Sequence, residues 1–121
     1  MGIGVLGKVY EDSETIVEQG GTGDCMYVVQ QGHVTVCVKQ GDHEITLSRL
    51  GPGDVFGEMA LFTKEPRSAT VRAEGKARVL TIDKRGFLKR IHEDPTLAFR
   101  ILQKMSERIR KLNEEVARLR P

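Results

Sequence analysis

The sequence has no tryptophan and few aromatic residues of any kind, four Phe and two Tyr. Aliphatic side chains must therefore supply most of any core. Only two cysteines are present, Cys25 and Cys37, outside any Cys-x-x-Cys pair, and His33, His43 and His92 are scattered. Zinc centres need several thiolates or imidazoles at close spacing, so no metal is expected. A Cys25–Cys37 disulfide is disfavoured in a reducing compartment. No apolar run approaches the roughly 18 residues of a membrane span. The segment from Met1 to Leu6 lacks the basic region and apolar stretch of a secretory leader, and position 6 lacks the Ser or Thr of a myristoylation site. The expectation is a cytoplasmic protein with no membrane association.

At 121 residues, 39% hydrophobic and 30% charged, the chain has the composition of one globular domain with a modest core. Charge is unevenly placed. Residues 84–121 hold eleven Lys/Arg against five Asp/Glu, whereas residues 1–83 hold eight against twelve. A basic helical tail can meet nucleic acid. The same charges also serve as the solvated flanks of a helix, and the helix pattern favours that reading.

The first two-thirds read as strands. Thr15–Val17, Cys25–Val29 and Ile45–Ser48 are β-prone runs, and Val34, Val36 and Val38 alternate with Thr35, Cys37 and Lys39 at period two. Gly32 ends one run, and Gly41-Asp42 marks a turn. Residues 70–73 and 77–82 are two further strands around an expected turn at Glu74-Gly75. Short strands between glycine turns suggest an antiparallel sandwich or roll. The last third switches to helical period. Asp83 is a candidate cap for a short helix over 84–91. Asp94-Pro95 starts a second helix, with no Gly or Pro before Pro121. Leu102, Met105, Ile109, Leu112, Val116 and Leu119 recur at spacings of 3, 4, 3, 4 and 3, a heptad seam. The stripe can pack on its own domain or zip against a second copy. The strict two-in-seven spacing, flanked by Arg108, Arg110, Lys111, Glu114 and Glu115, favours a homodimer through residues 102–119.

The segment richest in chemistry is residues 51–70. Glycines let its backbone approach a ligand closely. Gly57 to Phe62 can form one helical turn whose first amides point at an anion. Arg67 follows Glu58 by nine residues and is trailed by Ser68-Ala69-Thr70. A guanidinium fork beside an anion cradle, with a carboxylate able to accept from sugar hydroxyls, complements a ribose phosphate. The residue chemistry alone is equally met by a plain Glu58–Arg67 salt bridge in a packed loop. The segment is not a Gly-x4-Gly-Lys-Ser/Thr loop.

Phe56-Gly57-Glu58-Met59-Ala60-Leu61 followed by residues 66–73, Pro-Arg-Ser-Ala-Thr-Val-Arg-Ala, resembles the phosphate-binding cassette of cyclic-nucleotide-binding domains. These occur in kinase regulatory subunits, gated channels and bacterial catabolite activators. The resemblance extends to the strand–Gly–strand pattern over 27–36 and the turn at 50–54, and covers about residues 14–120. It implies a mainly β fold with C-terminal α structure: an antiparallel, jelly-roll-like β-roll of about eight strands over 1–83, then a short hinge helix and a long dimerisation helix over 84–120. The cassette would be 56–73. Glu58 would accept from the ribose 2′-OH and Arg67 would pair with the exocyclic phosphate oxygens. The Gly57 amide and the Ser68-Ala69 region, beside Met59, would complete the cage. Val36 and Leu47 would line the base side or belong to the core. Asn113, beside Leu112, would bond an adenine edge or remain a solvated helix residue. Guanine-preferring members often carry Thr directly after the arginine. Ser68 here implies cyclic AMP, with cyclic GMP the less favoured ligand, and no other cofactor.

Two departures from the family pattern stand out. A helix usually precedes the first strand, and bacterial activators carry a helix-turn-helix after the long helix. Neither is evident, so direct DNA binding by this chain is not expected. The reading is a regulatory ligand-binding module. Its alternatives are a ligand-free dimerisation domain of the same fold and an enzyme, for which no nucleophile–base pair or metal cluster is legible.

Overall fold

The computed structural model describes residues 6–119. Residues 1–5, on which the leader and myristoylation readings largely rest, lie outside the described residues, as do Arg120 and Pro121. The strands are β1 (Lys8–Tyr10), β2 (Thr15–Val17), β3 (Cys25–Gln40), β4 (His43–Leu50), β5 (Val55–Phe56) and β6 (Thr70–Asp83), followed by helices α1 (Lys84–Glu93) and α2 (Pro95–Leu119). The chain divides into two compact units, a β unit through Lys84 and a helical unit from Arg85 onward.

In the β unit every ladder is antiparallel, in the order β1-β6-β3-β4, with β2 also paired to β6 and β5 to β3. This is the expected antiparallel roll. Its interior is aliphatic, as the scarcity of aromatics requires: Met26, Val29, Val34 and Val79 are the largest fully buried side chains. Tyr10, Val17, Phe56 and Val71 cluster with Val29, Val34 and Val79, and Val36 and Leu50 pack against them.

The strand count is lower than expected because two breaks are absent. Residues 25–29 and 34–38 belong to one strand, β3, and residues 70–73 and 77–82 to another, β6. Glu74-Gly75 does not turn the chain. Gly32 and Gly75 have φ of 78° and 69°, and the β3–β6 register slips between Val29 and Gln31 and again between Gln31 and His33. Both strands bend together through irregular pairing, and their ladder resumes beyond it. Turn and bulge use the same left-handed glycine, so the local signal is shared; the facing strand decides between them.

β4 lies at the edge of the sheet. Arg72 on β6 reaches past β3 to Glu44 on β4 (Nη1–Oε1 2.5 Å), and Arg49 on β4 pairs with Glu74 on β6. The Arg72 guanidinium holds the Glu44 carboxyl below its ordinary value. These charges blunt an exposed edge and contribute little to stability.

In the helical unit, α1 extends two residues beyond the expected end. Asp94 caps α2 as its position suggests: its Oδ1 accepts from the Thr96 amide at 3.1 Å and its carbonyl from the Leu97 amide at 3.0 Å. Along α2, Leu102, Ile109, Leu112, Val116 and Leu119 are exposed, and Met105 is half-buried.

A pair of glycine substitutions tests the bent ladder. A Cβ at Gly32 would meet the Lys76 carbonyl oxygen at 2.4 Å, whereas one at Gly41 (φ 63°) would meet nothing within 4 Å. Gly41→Ala should cost about 1 kcal/mol, the left-handed backbone term alone. Gly32→Ala should cost several times that in urea unfolding. Equal costs would mean that the two strands do not approach each other at Gly32.

Candidate functional site

Arg67 lies where three distant segments meet. Its backbone is stitched to the loop after β2: the Gly20 amide donates to the Arg67 carbonyl and the Arg67 amide to the Gly21 carbonyl, both at 2.8 Å. Its side chain turns toward the start of β3 and the end of β5. Nη2 donates to the Cys25 carbonyl at 3.0 Å and Nη1 to the Gly57 carbonyl at 3.1 Å. The guanidinium stands 5.8 Å from the centroid of the Tyr27 ring, within cation–π range. Tyr27 in turn stacks on Phe56, with centroids 5.0 Å apart and 12° between planes, because β5 pairs Phe56 with Tyr27. The half-buried arginine is thus fixed at both ends of its fork by neutral carbonyls and supported by an aromatic pair.

Gly57 has φ 74° and precedes a single 3-10 turn, Glu58–Leu61. Its carbonyl accepts from Arg67 and also from the Ala60 amide at 3.2 Å. The positive φ and the approach of the arginine both require glycine: a Cβ here would meet Nη1 at 2.8 Å. The expected helical turn is therefore present as a tighter 3-10 turn. Glu58 opens it and is buried, at 8% exposure. Two backbone carbonyls, of Cys25 and Gly57, anchor the Arg67 fork.

The remaining expected residues are placed unevenly. Ser68 is exposed and Ala69 half-buried immediately after Arg67, and Met59 is exposed in the turn. Val36 packs against the core cluster and pairs with Val71. Leu47 sits at the register slip between β3 and β4 and is 58% exposed, so it is not plain core. Asn113 is an exposed residue of α2, in the helical unit. Sequence reasoning missed Tyr27, Gly23 and the Cys25 carbonyl as neighbours of the arginine. A glycine-rich run, Gly20-Gly21-Thr22-Gly23, was the available signal for the loop; a backbone carbonyl leaves none.

A cavity of about 210 Å³ adjoins Arg67 on the side of this loop, lined also by Ile16, Glu18, Thr22, Asp24 and Tyr27. Glu58 and Ser68 do not line it. Cys25 and Cys37 are free thiols, the second buried. Burial pushes the Cys25 thiol up, the neighbouring Asp24 carboxylate adds to the rise, and the Arg67 charge opposes both. Among the described residues no three His, Cys, Asp or Glu cluster in a way that could hold a metal, and no helix is long and apolar enough to cross a membrane.

Burial raises the Tyr27 phenol, and the Arg67 charge pulls it back down. Tyr10 is raised as well, by burial first and then by Glu14. A phenol that keeps its proton longer when folded contributes stability that is complete below the unfolded value and lost as pH rises through the folded one. Stability should therefore fall above about pH 10. In a Tyr10→Phe background Tyr27 is the sole tyrosine, and its phenolate absorbance can be titrated directly. Arg67→Ala should move that titration upward. An unmoved curve would separate the arginine from the ring.

Several known proteins are similar. The chain is 44% identical over 71 residues to a cAMP-dependent protein kinase type II regulatory subunit of Drosophila melanogaster, covering 59% of this chain and 19% of that protein. The catabolite activator protein of Thermus thermophilus superposes with a TM-score of 0.80 at 31% identity, over 93% of this chain and 53% of that one. The EAL enzyme Bd1971 in its cAMP-bound form gives 0.64 at 28% identity, over 91% of this chain and 30% of the enzyme. The chain thus spans about a fifth of the fly subunit and about half of the activator. Residues 7–94 match the family described as the cyclic nucleotide-binding domain, and this match, carried over most of the roll and on through α1, makes the chain a member of that family.

Proposed function

We propose that this domain is a regulatory module that binds a cyclic nucleoside monophosphate, cyclic AMP in preference to cyclic GMP, at the cassette spanning residues 56–73. The observation that carries the reading is the mounting of Arg67. The carbonyls of Cys25 and Gly57 orient its fork beside a cavity. A half-buried guanidinium held in a fixed direction offers an anion charge-assisted hydrogen bonds. A cyclic phosphate is a compact monoanion of that kind. Glu58, at the first position of the 3-10 turn, is assigned the ribose 2′-OH. Gly57, Met59, Ser68 and Ala69 are assigned the phosphate cage, and Val36 and Leu47 the base side. Support comes from the family match and from the similarity to the cAMP-bound form of Bd1971. Binding is reported through the C-terminal helices, and no ligand turnover is part of this reading.

Titration calorimetry should show cyclic AMP binding in the parent protein, with the ligand recovered intact. Charge-assisted bonds contribute about 1.5–3 kcal/mol each, and more where the surviving charge is left buried. Arg67→Ala should therefore weaken binding by about 100-fold or more. Arg67→Lys should recover part of the loss, since an ammonium lacks the bidentate fork. Glu58→Ala should cost less, because its hydroxyl partner is neutral. In competition cyclic AMP should win over cyclic GMP; the reverse order would overturn the role given to Ser68. If Arg67→Ala binds like the parent, the phosphate does not sit in this cassette.

The exposed stripe of α2 supports a second element of the reading, a homodimer through residues 102–119. Leu102, Ile109, Leu112 and Val116 are each more than half exposed in the single chain, at heptad spacing. Light scattering should report a dimer. Met105→Glu with Ile109→Glu would place charges in the seam and should give monomers. A parent protein that is monomeric at high concentration would exclude the seam.

A further inference from the structure

We propose that Gly23 is a positioning residue for the phosphate-binding arginine, and that its missing side chain sets the direction of the Arg67 fork. The inference rests on the function proposed above for Arg67. A Cβ at Gly23 would lie 2.6 Å from Nη2 and 3.4 Å from Cζ and Nε of Arg67. The φ of Gly23 lies outside the left-handed region, so its backbone accepts any residue, and no turn geometry explains the glycine. The space it leaves is taken by the guanidinium.

The loop cannot simply retreat from a larger side chain. Its Gly20 and Gly21 are bonded to the backbone of Arg67 itself, at 2.8 Å each way. A side chain at position 23 would therefore displace the flexible end of Arg67 and break the Nη2 bond to the Cys25 carbonyl. The fork would turn while the roll stays folded. Gly57 touches the other end of the fork, but its positive φ confounds any substitution there. Gly23 isolates the effect. Gly41, in the turn between β3 and β4 and outside the site, is the control, because a Cβ there would meet nothing within 4 Å.

The test is a cycle of variants in the whole chain, read by cyclic AMP affinity and by thermal melting. Gly23→Ala should weaken binding a few-fold, and Gly23→Val by about tenfold or more, as the fork is pushed further from its bidentate direction. Gly41→Ala should bind like the parent. In an Arg67→Ala background the space is vacated, so Gly23→Val should add less than about a twofold loss. Any fall in melting temperature caused by Gly23→Val should shrink in that background for the same reason. If Gly23→Val binds like the parent while Arg67→Ala does not, the positioning role is wrong and the site stands. The positioning role is also wrong if Gly23→Val costs the same affinity or the same stability with and without Arg67, because the residue then acts through the loop. If Arg67→Ala itself binds like the parent, the site assignment fails and the positioning role fails with it.

Discussion

A guanidinium cannot shed its charge at any pH a protein survives, so partly burying one constrains everything around it. Arg67 meets that constraint with backbone. Its two acceptors are carbonyls 42 and 10 residues away in sequence, and its main chain is bonded to a third segment at Gly20 and Gly21. Carbonyls set the direction of the fork from main chain that the strands already fix.

That arrangement is a product of the sheet. β3 and β6 pair over nearly their whole lengths, from Cys25 opposite Asp83 to Cys37 opposite Thr70. Their shared bend comes at Gly32 and Gly75, where register is lost and regained. On the far side of the bend β3 accepts β5, a strand of two residues whose Phe56 stacks on Tyr27. This short pairing delivers Gly57 and the 3-10 turn to the arginine. The aliphatic interior around Val29, Val34 and Val79 fixes the two long strands, and the polar site is assembled at their ends.

The helical unit follows a simpler logic. Asp94 caps α2, and the uninterrupted sequence behind it carries one helix of 25 residues. Its apolar residues recur at regular spacing, and Leu102, Ile109, Leu112 and Val116 are exposed. The charged residues beside it are arranged as flanks, with Arg110 and Glu114 paired one turn apart.

Much of this was legible in the chain. Periodicity separated the β portion from the helices, Asp94-Pro95 marked the start of α2, and the cassette identified Glu58 and Arg67 as the residues to examine. These signals are local: a cap, a repeat or a motif is read within a few residues. Tertiary structure decided the rest. Whether Gly32 and Gly75 turn the chain or bend it depends on the strand opposite, which no local window contains. Leu47 and Val36 are both aliphatic and both in strands, yet Leu47 is exposed on the edge strand β4, whereas Val36 packs against the core from β3, which has strands on both sides. The groups that hold Arg67 were invisible for a deeper reason. A carbonyl belongs to every residue and a missing Cβ to every glycine, so only the folded chain can say which of them face an arginine.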